Sequence, residues 1–216
     1  DSVDVKIIKD INELNITNDI AVYLELDGFN YHTSNILGMG IYNKEISAYI
    51  PLDVLKQKPE FLTKINKYSY DIKKTIIALK KIGIDSTNYT FDTMIAAYLL
   101  NYNVKDDIAY VSNAYNYSVK FLETLYKEKN FDINSISKEC VIKAKFIYET
   151  KDKFINKLTE EDCISLFKDI EMPLTNVLID MELTGMKVDI NVLKNMEEEL
   201  SIKIELLKKD IFNMAG

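Results

Sequence analysis

The sequence has no arginine and no tryptophan, and in 216 residues it has only one histidine, two cysteines, three prolines and six glycines. Each shortage removes a class of protein. Cys140 and Cys163 stand far apart with no CxxC partner, which excludes a disulfide framework and a cysteine zinc site and fits a reducing, cytoplasmic setting. So few prolines and glycines exclude collagen-like repeats and low-complexity linkers. His32, between Asn30 and the pair Thr33-Ser34, lies in a polar link and reads as a surface residue, with no constellation around it for Ser/His/Asp catalysis. All 27 basic residues are lysine, so the planar fork that grips phosphates and guanine edges is missing. With a net charge of -7, a tight, free-standing nucleic-acid binder is disfavoured. No apolar run approaches the roughly 18 residues of a membrane span, and the opening Asp1-Ser2-Val3-Asp4 lacks the basic and apolar parts of a secretory signal. Gly38-Met39-Gly40 sits inside a strand pattern without GxGxxG or Walker spacing, so no phosphate loop is present.

What is present is a globular composition, 47% hydrophobic and 28% charged, enough to bury a core. Residues 20–27 alternate strictly, with Ile20, Val22, Leu24 and Leu26 on one face and Ala21, Tyr23, Glu25 and Asp27 on the other, which predicts a half-buried strand. Residues 36–42 and 45–50 flank Asn43-Lys44, a two-residue hairpin link whose asparagine tolerates positive φ. Extended pieces around 65–70 and 88–91 each lead into a helical pattern, the first on Ile72, Ile76, Leu79 and Ile82, the second on Met94, Ile95, Tyr98 and Leu99. Asp92, between strand and helix, reads as an N-cap. From about Asp106 onward the pattern is helical. The final stretch repeats Leu193, Met196, Leu200, Ile204, Leu207 and Ile211 at steps of three and four, after Asp189 as N-cap and Gly185 as the C′ residue of the preceding helix. Three antiparallel strands followed by strand-helix units predict an α/β fold, a mixed sheet flanked by helices. A start without Met and a last helix whose apolar stripe lacks a partner point to a piece of a longer protein; the alternative is that this helix packs back on its own domain or pairs with a second copy.

Three segments carry a family resemblance. Tyr70-Asp71-Ile72-Lys73, then Phe91-Asp92-Thr93-Met94-Ile95-Ala96-Ala97-Tyr98-Leu99-Leu100-Asn101, then Ile170-Glu171-Met172-Pro173-Leu174 leading to Glu182-Leu183-Thr184-Gly185-Met186-Lys187-Val188-Asp189 resemble, in that order, the 3′-5′ exonuclease region of the bacterial DNA polymerase I (family A) group and its passage into the polymerase domain. The last is the most specific, because helix patterning does not demand Glu-Met-Pro-Leu, a helix, then Thr-Gly-x-x-x-Asp. The resemblance covers essentially the whole chain. It implies a ribonuclease H-like fold of the DEDD exonuclease type over residues 1–157, degenerate in its site, and connecting helices over 158–216 that lead into the polymerase thumb.

Active exonucleases of this family hold two metal ions with an Asp-x-Glu pair on the first strand, an Asp after an aromatic residue before the middle helix, and an Asp on a late helix beside a Tyr. Two divalent ions stabilise the attacking and leaving oxygens, and only several converging hard anions can hold them. Matched to this sequence, the first Asp position is Tyr23, the Glu position is Glu25, the third carboxylate is Asp71, and the last Asp falls on Lys143, with Glu139 where the Tyr would stand. A tyrosine hydroxyl is neutral near pH 7. A lysine ammonium pairs with carboxylates and supplies no ligand. The resemblance therefore implies a remnant exonuclease site of Tyr23, Glu25, Asp71 and Lys143, with Lys143 paired to Glu25 or Asp71, no intact catalytic set and no metal. It implies no cofactor for this piece, although Mg²⁺ is expected for the parent polymerase. The expected role is a structural platform in DNA replication and repair, with the polymerase domain of the same parent chain as partner, DNA met through that parent and weakly or not at all by the piece itself, and no membrane partner. Two other readings stay open: an active or weakened exonuclease using Glu25 and Asp71, and a non-catalytic protein-interaction module. Taken singly, Glu25 and Asp71 are surface carboxylates by residue type, and the 14 tyrosines, with no interleaved arginine, suit packing rather than base stacking.

Overall fold

The structure, a computed structural model, describes residues 3–128 and 131–215. The chain divides into two compact units, Asp1–Leu183 and Thr184–Gly216.

The first unit is built on one six-stranded sheet. Its strands are β1 (Lys6–Ile7), β2 (Ile20–Leu26), β3 (Ile36–Tyr42), β4 (Ser47–Pro51), β5 (Lys67–Ser69) and β6 (Tyr89–Asp92), in the order β1-β4-β3-β2-β5-β6. The β2, β3 and β4 strands run antiparallel; β1 joins β4, and β5 joins β2 and β6, in parallel. This is the expected mixed α/β sheet. Short helices α1 (Leu52–Leu55) and α2 (Phe61–Lys64) connect β4 to β5, α3 (Ile72–Lys81) connects β5 to β6, and α4 (Thr93–Leu99) follows β6. Then come α5 (Ile108–Ala114), α6 (Leu122–Glu128), the 28-residue α7 (Ile133–Glu160), a π-helical turn at Leu166–Glu171, and α8 (Met172–Thr184).

Local chemistry sets most boundaries. Asp92 caps α4 through Met94 N and Ile95 N, as its position predicts, and Asp107 caps α5 while also accepting from Leu122 N at 2.9 Å, which ties α5 to the start of α6. The hairpin departs from expectation. Its turn takes in Asn43 to Ile46, with Asn43 N donating to Ile46 O at 2.9 Å, β4 starts only at Ser47, and Asn43 is not among the residues at positive φ. The Asn43 side chain accepts from Glu45 N and Ile46 N, both at 2.8 Å, and this side-chain turn replaces the tight two-residue link. The β1 strand is two residues long, too short to show a period in the sequence.

The expectation of a half-buried β2 is overturned. Every residue of the strand is buried. Ile20, Val22, Leu24 and Leu26 join a core with Met39, Ile41, Ile50 and Leu79, whereas Ala21 and Tyr23 join a second core with Cys140, Val141, Ala144 and Ile147 of α7. A helix more than a hundred residues downstream covers the face that alternation assigned to solvent. Gly40 allows the close approach: a Cβ there would meet the Cys140 carbonyl oxygen at 2.6 Å.

The second unit is one helix, α9 (Ile190–Ala215), preceded by Gly185 at φ 66 and capped by Asp189, whose carboxylate accepts from Asn191 N and Val192 N. Cap, C′ glycine and helix agree with the sequence pattern.

Candidate functional site

Tyr23 and Glu25, two apart on β2, project to the α7 side of the sheet. From α7, Lys143 projects toward them; its side chain is 0% exposed and that of Glu25 5%. Lys143 Nζ lies 2.7 Å from Glu25 Oε2 and 4.7 Å from the centre of the Tyr23 ring. The ammonium thus touches an anion and an aromatic face and is shielded from bulk solvent. A second lysine approaches the same ring: Lys74 Nζ, from α3, is 5.6 Å from its centre. Burial raises the Tyr23 hydroxyl well above its usual range, and the nearby Glu25 charge adds to the effect. Cys140 completes this layer, its Sγ donating to Tyr23 O at 3.3 Å and accepting from Gly40 N at 3.0 Å.

Asp71 is placed differently. It follows β5 at φ 57 and ψ 72, caps α3 by accepting from Lys74 N at 3.0 Å, and donates its own N–H to Asp92 Oδ1 at 3.1 Å. The hydrogen bonds of Asp71 therefore run to α3 and Asp92, while Glu25 pairs with Lys143. Asp92 is a hub, accepting from the N–H groups of Asp71, Ile72, Met94 and Ile95. Burial, then the Asp71 charge, raises its carboxyl to about 7 against the pull of those backbone bonds. Glu139 faces outward enough to accept from Lys120 N at 3.2 Å.

The space beside Glu25 is almost filled. Leu26, Leu37, Leu125, Tyr126, Phe131, Ile136 and Glu139 line a residual cavity of about 10 Å³ beside it, at the lower limit for one water. Tyr126, whose position α6 sets, stacks edge-on with Phe29 at 4.7 Å, and burial and the Glu25 charge raise its hydroxyl. A nucleotide and two divalent ions need far more room.

These residues do not fit the two-metal arrangement. Such a pair needs several carboxylates with free lone pairs; here Glu25 carries an ammonium, Tyr23 offers a neutral hydroxyl, and Asp71 caps a helix. Among the described residues no group of three or more His, Cys, Asp or Glu is arranged to hold a metal ion. Sequence reasoning missed Lys74, Tyr126 and Cys140. No local signal marks them, because each acquires its role only when α3, α6 and α7 fold over β2.

A second polar cluster joins His32 to residues far away. His32 Nε2 lies 2.7 Å from Glu182 Oε1, Tyr31 OH donates to the same oxygen, and Lys73 Nζ lies 2.6 Å from Glu182 Oε2.

Comparison with known proteins agrees with this architecture. The family model for the DNA polymerase I ribonuclease H-like domain matches residues 22–150, more than half of the chain. DNA polymerase I of Bacillus subtilis is 32% identical over 227 residues, covering 100% of this chain and 26% of the relative. DNA polymerase I of Geobacillus stearothermophilus is 28% identical, covering 99% and 26%. The chain thus spans about a quarter of the length of the curated relatives it matches. A solved structure of the polymerase domain of Pol1 from M. smegmatis, in complex with DNA primer-template and dNTP, superposes with TM-score 0.65 at 17% identity over 87% of this chain and 32% of that one. NrnC of Brucella melitensis superposes with TM-score 0.62 at 14% identity, over 86% and 95%. Among the described residues no helix is long and apolar enough to cross a membrane.

Proposed function

The chain belongs to the DNA polymerase I ribonuclease H-like domain family, and from that premise we propose that it is an exonuclease-like domain without exonuclease chemistry, serving as a structural platform for the polymerase region of a longer polymerase I-type protein in DNA replication and repair. The observation that carries this reading is the buried contact of 2.7 Å between Lys143 Nζ and Glu25 Oε2. An ammonium there neutralises the carboxylate a metal would need, and it does so in a buried pair, where a charge leaves its partner only at a cost of several kcal/mol. Lys74, directed at the same ring, adds a second positive charge. Tyr23, Glu25 and Lys143 of the remnant site have become part of the core, Asp71 caps α3, and the domain's remaining use is mechanical. Its partners on this reading are the polymerase region of its own parent chain and, through that region, DNA.

The experiment is a nuclease assay on single-stranded DNA with Mg²⁺ and with Mn²⁺, beside calorimetric titration of both ions. No metal-dependent cleavage and no metal binding are expected. Cleavage that disappears in Asp71→Ala would overturn the proposal. The double variant Tyr23→Asp with Lys143→Asp should acquire divalent-ion binding, because it restores two anions beside Glu25.

A further inference from the structure

The motif running from Glu171 to Asp189 contains a carboxylate, Glu182, that neither the remnant site nor the helix pattern explains. It stands in the last turn of α8, the helix that ends the first unit. α8 has a thin hold on that unit. Only Thr175 and Ile179 are buried in it, and Leu174, Val177, Leu178 and Met181 are exposed. Between α3 and α8 lies an open groove of about 640 Å³, lined by Ile76, Lys80, Asn176, Ile179 and Leu183 among others, so apolar packing does not close one helix on the other. Two buried side chains, one of them a threonine, supply little hydrophobic stabilisation for a helix of this length.

Glu182 continues the stripe of half-buried Met172 and buried Thr175 and Ile179 at helical spacing and carries the polar part of the hold. Its two oxygens are used separately. Oε2 takes the Lys73 ammonium at 2.6 Å, while Oε1 accepts from Tyr31 OH and lies 2.7 Å from His32 Nε2. The donors support one another: Lys73 Nζ also donates to Tyr31 OH at 2.8 Å and lies 5.2 Å from the centre of that ring, and the Tyr31 and His32 rings stack at 4.5 Å. Burial pushes the Glu182 carboxyl up, but the bonds from Lys73 and Tyr31 outweigh it and hold it at about 2; Lys73 is correspondingly held at about 12. The side chains of Lys73 and Glu182 are 31% and 24% exposed, so this is no freely hydrated surface pair. The carboxylate gathers the β2–β3 link and the first turn of α3 onto the last turn of α8.

We propose that Glu182 is the positioning residue of the platform: with Tyr31, His32 and Lys73 it forms a clamp that fixes the end of α8 on the exonuclease-like domain, giving the chain that follows a fixed point of departure. Its functional meaning rests on the platform reading, but its test does not depend on nuclease or metal behaviour, so either can fail without the other.

The test is native-state amide hydrogen exchange on the 216-residue chain, comparing peptides over residues 172–183 with peptides over residues 20–26 of β2. In Glu182→Gln and in Lys73→Met, exchange over 172–183 should speed about tenfold or more while β2 keeps its wild-type rate, because loss of the clamp is a local opening. Lys73→Arg, which keeps a donor and a charge, should stay within about twofold of wild type over 172–183. Should Glu182→Gln fail to fold, Lys73→Met alters the opposite pole of the clamp and reads the same peptides. The proposal is overturned if 172–183 keeps its wild-type rate in the folded variants, or if both regions speed equally, since that would make the contacts part of global stability only.

Discussion

Replacing Lys143 by methionine keeps most of the side-chain volume and removes the charge, leaving the Glu25 carboxylate 5% exposed without its ammonium. Breaking a buried pair from one side costs about 3–5 kcal/mol, most of it the unpaid solvation of the survivor. The reverse change is milder. In Glu25→Gln the ammonium keeps an amide oxygen within reach and the face of Tyr23, 4.7 Å from Nζ; a desolvated cation–π contact contributes about 2 kcal/mol, so this variant should lose about 1–3 kcal/mol. Removing both charges together leaves no buried ion. The double variant should therefore be less damaged than the sum of the singles by about 2–4 kcal/mol. Urea unfolding followed by circular dichroism at pH 7.5 measures all four chains, and an unchanged m value would show that only stability has moved. In thermal unfolding, Lys143→Met should lower Tm by about 10 °C. Strict additivity, or a Lys143→Met loss below about 1 kcal/mol, would mean that the pair is solvated, and would remove the basis for reading this site as metal-free core.

Two further perturbations probe the surroundings. Gly40→Ala would place a Cβ 2.6 Å from the Cys140 carbonyl oxygen and 3.0 Å from its Sγ, so α7 must retreat from β3; a loss of about 2–3 kcal/mol is expected in urea unfolding, and a neutral substitution would contradict the close approach. Asp92 has its carboxyl raised to about 7, above its unfolded value, so the folded state binds the proton more tightly: its contribution is fully present below about pH 4 and is lost as pH rises through 7. Wild type should then lose about 2 kcal/mol relative to Asp92→Asn between pH 5 and pH 8, and parallel pH profiles would rule this out.

Much of the local structure was legible in the sequence because short-range chemistry writes it. Alternation located β2, an aspartate after a strand located the start of α4, and Gly185 with Asp189 located the passage into α9; each depends on contacts within a few residues. The hairpin was read one step too tight, since Asn43 builds its turn with its side chain, and sequence spacing does not distinguish that from a positive-φ link. Spacing could not suggest that Tyr23, Glu25, Asp71 and Lys143 belong to one remnant site; that proposal rests on the family resemblance.

The sequence by itself determined the longer strands, the capped helix starts and the residue types at the proposed remnant site, because periodicity, capping and residue identity are properties of the chain alone. Only the tertiary structure decided what those residues meet. Alternation along β2 assigns Tyr23 and Glu25 to one face but carries no information about α7 lying over it, so a carboxylate that reads as solvated becomes buried, and its partner is a lysine 118 residues away. Lys74 and Tyr126 come to stand beside Tyr23 and Glu25, and Asp71 caps α3, for the same reason. Charge in a low-dielectric interior is governed by the nearest groups in space, and those are chosen by the packing of helices on the sheet.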